Sequence, residues 1–413
     1  MAKQHCGVGR HAWNWGLAIC KEISDLGGAI PSAMDLHKIL VSDVKPNNLW
    51  YYDSSKCVPQ EKLRDLEKAY KKYHKELKDG TIQDRKNKYI AARKRKGLPI
   101  NYDKVNDIGK PKFKKKVSES DSFYLCEDIK IVGNKIKVPK FGWIRTFEEL
   151  PECTPKNVVI SRIADRWYIS FRREVDVAHT HKEHELTGVD WGIKTLATYS
   201  DGTKKPNTKA YSLNKRRLKL AQRKLSKKYK EDVKQQSKNY YKAAMEVAKI
   251  HARIARIRND NIHKITSDLC KNHAVICLED LDITNMSKNH KLASAILDGG
   301  NGELNRQIGY KTKWYGSQIS YVDRYFPSSK MCSCCGNVKK ELKLNERVYH
   351  CDVCGHTQDR DWNAAINIRN KGGELLRLQP VEDKQSQTMF GCPVNQEGNS
   401  NVGHCVSFSE RKL

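Results

Sequence analysis

No run of 18 apolar residues occurs anywhere in the 413-residue chain, so a membrane-spanning helix is not expected. The first twenty residues, MAKQHCGVGRHAWNWGLAIC, lack the apolar core of a signal peptide, which argues against secretion. Acidic residues are also in short supply: 48 Asp and Glu face 77 Lys and Arg, for a formal charge of +29. A chain this basic repels itself unless a polyanion screens it, and nucleic acid is the expected partner. No internal repeat is evident. The length leaves room for about two to four domains, each with its own core.

Cysteine, by contrast, is plentiful at fourteen residues. In the reducing cytoplasm expected for this chain, thiol pairs at short spacing read as metal ligands rather than disulfides. Cys332-x2-Cys335 and Cys351-x2-Cys354 are separated by fifteen residues, and each pair is followed by glycine, Gly336 and Gly355. Each turn places two thiolates on one side of a tight loop, and two such loops supply the four soft ligands of one tetrahedral, structural Zn²⁺. The polar intervening segment NVKKELKLNERVYH argues against a buried set of reduced cysteines. Cys334 lies inside the first loop at the wrong spacing to chelate with Cys335, and His350 and His356 stand as alternative ligands.

The periodicity changes three times along the chain. Trp13, Trp15, Leu17 and Cys20 are spaced for a helix near the amino end that lacks a capped approach. Residues 60–96 are polar and helical, with Leu63, Leu66, Tyr70, Tyr73 and Leu77 on one face. Between residues 111 and 174 the period moves toward two, and short strands joined by Gly, Asn-Lys and Asp-Arg turns suggest a small antiparallel barrel or sandwich. From Leu186 a buried strand, a Gly turn, a second strand and an Asp201-Gly202 hairpin precede a long basic helical stretch over residues 213–271. The apolar strand AVICLED follows, and strands alternating with helices suggest an α/β layer with a mixed sheet. The Gly299-to-Gly302 segment breaks the next helix. Residues 372–413 are rich in Gln, Asn, Ser and Gly and read as a disordered tail.

Three carboxylates stand out by context. Asp190 sits in an apolar strand between Val189 and Trp191, with Gly188 and Gly192 allowing close backbone approach. Glu279 ends the run Val275-Ile276-Cys277-Leu278 at the carboxyl edge of a strand, where ligands of α/β sheets bind. Asp361 opens a helix in DRDWNAAINI. Singly, each is also explained as an edge acid, a strand-end acid or an acid favoured by a helix dipole. Together, from two strands and a helix, they would form a hard-oxygen site for two Mg²⁺ about 4 Å apart, suited to phosphodiester cleavage.

GVDWGIKTLATYSDGT, ARIARIRNDNIHKIT, VICLEDLDITNM, NHKLASAILDGG, YKTKWYG, YFPSSKMCSCCG, YHCDVCG and DRDWNAAINI occur in this order. As an ordered set over residues 5–370 they resemble the TnpB family, also called OrfB-type transposase-associated proteins, relatives of the miniature type V CRISPR effectors. The resemblance implies an α+β multidomain protein and an RNA-guided DNA endonuclease. Its RNase H-like (RuvC) nuclease domain would be split into 182–329 and 359–371, with a zinc-binding insert at 330–358. A first helix at 1–24 and strands at 109–181 would form a β-barrel wedge domain, and residues 25–108 a helical recognition lobe. The catalytic acids would be Asp190, Glu279 and Asp361, holding two Mg²⁺, and the zinc ligands Cys332, Cys335, Cys351 and Cys354. Asp359 and Asp280 fall outside the matched positions and would play supporting roles at most. Guide RNA from the transposon end, or a related non-coding RNA, and target DNA would be the partners of a monomer at the prokaryotic nucleoid in the cytoplasm, with specificity delegated to base pairing.

Family members usually open with a strand and a Pro-containing turn, whereas five residues precede CGVGRHAWNWGL here. A misassigned start, or a barrel short of one edge strand, is the corresponding expectation. A small CRISPR effector, a regulator that has lost cleavage and a DNA-joining transposase are the rival readings. The regulator would be expected to have lost a triad acid, and all three are present.

Overall fold

The computed structural model describes residues 1–116, 120–126, 129–175, 179–231, 233, 235–289, 292–343, 345–377 and 401–408. The chain divides into two units: Met1–Glu174 with the segment from Asn401, and Val175–Ser400.

The first unit begins with α1 (Ala2–Asp25), α2 (Ala33–Ile39), α3 (Cys57–Lys78), α4 (Thr81–Arg95) and α5 (Tyr102–Asn106). Ser32 and Asn101 cap α2 and α5 by accepting from the backbone N–H groups of Asp35 and Lys104. The strands are β1 (Ser120–Leu125), β2 (Lys130–Val132), β3 (Lys135–Val138), β4 (Gly142–Arg145), β5 (Lys156–Ile163) and β6 (Arg166–Glu174). They make two antiparallel sheets: β2-β3-β4, and one in which β1 pairs with β5 and β5 with β6. Leu17, Leu36, Leu40, Leu63 and Leu66 share one core with Phe123, Val158, Ile160 and Phe171. α2 and α3, within the segment 25–108, therefore share a core with the strands, while Ile82 of α4 and Val105 of α5 are buried outside that cluster.

The cysteine expectation needs one correction. Cys57 at the start of α3 and Cys126 after β1 form a disulfide that joins helix to sheet across 69 residues of sequence. A pair this far apart has no local signature in the sequence.

The second unit starts with β7 (His184–Trp191), β8 (Thr195–Tyr199) and β9 (Lys204–Pro206). The basic stretch is not one helix but two, α6 (Ala210–Ser226) and α7 (Lys238–Asn272), the latter capped by Ser237. Then come β10 (His273–Glu279), α8 (Ile283–Met286), α9 (Ala293–Gly299), α10 (Asn301–Tyr315) and β11 (Gln318–Val322). The unit continues with β12 (Val348–His350), β13 (Thr357–Asp359) and α11 (Arg360–Arg377). Five strands form a mixed sheet in the order β11-β10-β7-β8-β9. β7, β10 and β11 run parallel, while β8 and β9 continue antiparallel from β7. Val189, Ile276 and Leu278 on one face pack with Ile262, Ile265 and Leu269 of α7 and Leu304 and Ile308 of α10. Cys277 and Val322 on the other face pack with Ile368 of α11. Alternation along a strand thus gives one face to α7 and α10 and the other to α11.

The tail expectation also changes. α11 runs on to Arg377, anchored where a Cβ on Gly372 would stand 2.4 Å from Cys277 Sγ and where Ser320 Oγ donates to Gly372 O at 2.9 Å. Further on, β14 (Asn401–Phe408) pairs antiparallel with β6 in the first unit. Packing partners supplied by distant strands order segments whose composition lacks periodicity. Residues 378–400 and 409–413 of the expected tail lie outside the described residues.

Candidate active site and metal centre

Asp190 and Glu279 come together through strand register. Val189 pairs with Leu278 between the parallel strands β7 and β10, so the next residues, Asp190 and Glu279, sit side by side at the strand ends. Adjacent strands lie about 4.8 Å apart. Gly188 and Cys277, two residues back, share the face of Asp190 and Glu279, and this is the face that α11 covers.

The approach of α11 depends on Gly188. A Cβ there would lie 2.1 Å from Ala365 O and 2.4 Å from Arg369 N, so any side chain would push the helix off the strand. Asp361 lies one helical turn before Ala365, which directs the first turn of α11 toward Asp190. Asp359 caps that turn, its Oδ1 accepting from the N–H groups of Asp361 and Trp362 at 3.1 Å each. Lys204 Nζ in turn donates to Asp359 Oδ2 at 2.7 Å. Trp362 Nε1 donates to Ser200 O at 3.0 Å and ties the helix to the β8–β9 turn. Asp359, expected to play a supporting role, is therefore the residue that caps the helix bearing Asp361. Asp280 instead pairs with Arg324.

All three acids are half-buried. Burial first, and then the charges of Glu279 and Asp361, push the Asp190 carboxyl up to about 8, against the opposing pull of Arg360. Burial also raises Glu279, while the Ser328 hydroxyl, which donates to its carboxylate, opposes the rise. Such mutual repulsion is what a bound multivalent cation would relieve, and carboxylate oxygens are the ligands hard cations prefer. The donor set therefore fits a divalent metal of the Mg²⁺ type.

The cysteine pairs form a tighter cluster. One ligand atom each from Cys332, Cys335, Cys351 and Cys354 lies within 4.8 Å of all the others. Among the described residues no other group of three or more His, Cys, Asp or Glu is drawn together in this way, so the carboxylates are more widely set. The Cys332–Cys354 and Cys335–Cys351 sulfurs are 3.6 Å apart. Tetrahedral Zn–S bonds of about 2.3 Å put sulfurs about 3.8 Å apart, so the cluster has the size for Zn²⁺. The two loops are built alike. Gly336 N donates to Cys332 O and Gly355 N to Cys351 O, both at 3.0 Å, while Cys332 N and Cys351 N donate to Asn337 O and His356 O, both at 2.8 Å. The backbone N–H groups of Cys354 and Val353 pull the Cys351 thiol down to about 6, toward the thiolate a metal needs. His350 Nδ1 instead engages Thr357, and His356 Nε2 engages Gln358. Cys334 is exposed and outside the cluster.

Asparagines on α11 knit the two centres together. Asn363 Nδ2 and Asn367 Nδ2 both donate to Met331 O at 2.7 Å, Asn367 also to Ser328 O at 2.8 Å, and Ser333 N donates to Asn363 Oδ1 at 2.9 Å. One helix thus carries Asp361 and grips the segment that holds Ser328 on Glu279 and the first cysteine loop. Sequence reasoning missed Ser328, Asn363 and Asn367. The two asparagines fall at i and i+4 on α11, which was the available signal. It also missed Asp298, buried in α9, whose carboxylate accepts from Tyr211 N and Ser212 N at the start of α6 at 2.9 and 3.1 Å, and from Arg258 at 3.3 Å.

Two family models match the chain. The family described as "Probable transposase" (OrfB_IS605) matches residues 170–290, and "Cas12f1-like, TNB domain" matches residues 302–368. The chain is 33% identical over 368 residues to "Putative RNA-guided DNA endonuclease InsQ" of Escherichia coli K12, covering 84% of this chain and 81% of that one. The chain belongs to the TnpB family. A second TnpB relative, "Putative RNA-guided DNA endonuclease" of Streptomyces pristinaespiralis, is 41% identical over 231 residues, 55% of this chain and 56% of the other. Among solved structures, "Cryo-EM structure of CRISPR-Cas12f Ternary Complex" aligns at 16% identity and a TM-score of 0.36, covering 89% of this chain and 80% of that one. No helix among the described residues of this TnpB protein is long and apolar enough to cross a membrane.

Proposed function

We propose that this protein is an RNA-guided DNA endonuclease that hydrolyses phosphodiester bonds at Asp190, Glu279 and Asp361 with Mg²⁺. The observation that carries this reading is the gathering of three carboxylates, Asp190 and Glu279 by the register of β7 and β10 and Asp361 by the close approach of α11 at Gly188. The three acids would hold the cations, which when bound supply a nucleophilic water and charge stabilisation at the leaving oxygen. Ser328 orients Glu279 by its hydroxyl hydrogen bond. Asp359 and Lys204 hold the start of α11 so that Asp361 is presented without rearrangement. Four thiols would hold one structural Zn²⁺. Strand order β11-β10-β7-β8-β9 supports an RNase H-like, RuvC-type nuclease domain, and the +29 charge supports RNA and DNA as ligands. The matching family's description as a probable transposase supports a guide RNA from the transposon end or a related non-coding RNA.

The test is to purify the protein with its bound RNA, sequence that RNA, and supply a matched duplex with Mg²⁺. Cleavage of the matched duplex, abolished by EDTA and absent with a mismatched one, is expected. Metal-independent or RNA-independent cutting would overturn the reading.

A further inference from the structure

Apart from the nuclease centre, the first unit contains a cavity of about 470 Å³ between α1, α3, β1, β5 and the segment before β1. Its lining carries five cations, Arg10, Lys62, Lys114, Lys115 and Arg162, against one carboxylate, Asp121. Two cations already have acidic partners: Arg10 meets Asp121 at 3.1 Å and Lys62 meets Asp65 at 3.2 Å. Among the described residues, Lys114, Lys115 and Arg162 form no ion pair. Arg162 Nε is buried without a hydrogen-bond partner, the guanidinium lying 5.7 Å from the Trp167 ring centroid. Lys114 Nζ stands 3.7 Å from the centroid of Trp13. Desolvation and then repulsion from Lys62 hold the Lys114 ammonium down at about 8. Ser122 and Ser161 also border the cavity, paired across β1 and β5 one step from Asp121 and Arg162.

Like charges gathered around one cavity, with an orphaned guanidinium N–H among them, describe a site lacking its anion. A metal cation is excluded by the sign of the charge. A phosphodiester carries one negative charge shared over two non-bridging oxygens that match the fork of an arginine, and its ester and sugar oxygens offer further acceptors that a simple carboxylate lacks. The volume falls in the range of about 300–1,000 Å³ that holds a small ligand, enough for one nucleotide unit.

We propose that this cavity seats one phosphodiester unit of a bound nucleic-acid strand, with Arg162 and Lys114 as its principal contacts. The proposal rests on the RNA-guided reading above. It assigns the first unit a discrete phosphate seat rather than a diffuse basic surface.

The test measures binding by fluorescence anisotropy as a function of salt, using the RNA that copurifies with the protein and an unrelated duplex DNA as probes. Lys114→Gln and Arg162→Gln are compared with wild type and with Lys135→Gln, an exposed lysine of β3 outside the cavity. Each cavity variant is expected to weaken one probe about tenfold, as loss of a charge-assisted hydrogen bond does. Each should also lower the salt slope by about 0.7–0.9, the contribution of one neutralised phosphate. Loss confined to the RNA assigns the seat to guide RNA, and loss confined to the duplex assigns it to target DNA. Lys115→Gln serves if either variant fails to fold. Folded variants that bind both probes like wild type would overturn the phosphate seat while leaving the RNA-guided reading intact. A wild-type protein that binds neither probe would overturn both.

Discussion

The two metal-type centres of the second unit use different means to gather ligands. The cysteine cluster draws its four thiols from two loops in which the N–H of a following glycine closes each turn, so the loops themselves present the thiols. The carboxylate group draws one acid from each of three elements whose residues lie 171 positions apart at the extremes, Asp190 to Asp361. Its assembly depends on parallel register between β7 and β10 and on a helix pressed against a strand with no side chain between them. Local geometry makes a ligand cluster robust, whereas convergence from distant elements makes it sensitive to any residue that sets an interface.

The largest expected effect breaks the carboxylate side of this contrast directly. Asp190→Ala, Glu279→Ala or Asp361→Ala should reduce DNA cleavage by a factor of about a thousand or more, since metal-borne stabilisation is worth several kcal/mol. RNA affinity, measured in parallel, should hold. Wild-type cleavage by any one variant removes that acid from the site.

Next in size is the cysteine side. Purified protein should carry one Zn²⁺ per chain by elemental analysis, and Cys351→Ser should lose it with local unfolding, because structural zinc contributes folding free energy. Asn363 and Asn367 connect that loop to α11, so zinc loss should also lower cleavage. If cleavage survives loss of the metal, the two centres are independent.

Gly188→Ala probes the interface itself. With a Cβ 2.1 Å from Ala365 O the helix must move, and a loss of roughly 1–3 kcal/mol in stability is expected together with loss of cleavage. A variant with an unchanged melting temperature would show that α11 does not rest on this glycine.

A pH experiment sharpens the electrostatic half of the comparison. The folded Asp190 carboxyl titrates near 8, above its ordinary value near 4, so the metal-free folded state holds a proton that the unfolded chain releases. Its contribution to stability is present below about pH 4 and is lost as pH rises through about 8. Thermal melts in EDTA should show Asp190→Asn flattening this decline, while the same variant fails to cleave. Parallel curves for the two proteins would mean that Asp190 is not held among charges.

The smallest effect belongs to Ser328→Ala, which removes one hydrogen bond to the Glu279 carboxylate. A loss of about tenfold in cleavage, with zinc content unchanged, is expected from one charge-assisted bond.

The difference between the centres also explains what could be read in advance. Cys332, Cys335, Cys351 and Cys354 were legible because the spacing of each pair encodes the turn that brings its thiols together. Asp190, Glu279 and Asp361 were legible as candidates, from an apolar strand, a strand end and a helix start, but convergence was beyond residue context. Ser328, Asn363 and Asn367 were not singled out, because a serine and two amides gain meaning only from the backbone atoms they meet. The basic stretch over 213–271 resolved into α6 and α7, since helical propensity carries across a break that packing and the Ser237 cap define.

By itself, then, the sequence determined the charge, the thiol loops, the helical and strand periods and the three acids, all properties of neighbouring residues. Tertiary structure alone decided that the amino-terminal helices share a core with the strands, that Cys57 meets Cys126, and that residues 401–408 lie along β6. It also decided how closely α11 approaches β7. These outcomes depend on contacts between residues far apart in the chain, where many partners have compatible chemistry and only the packing of the whole unit selects one.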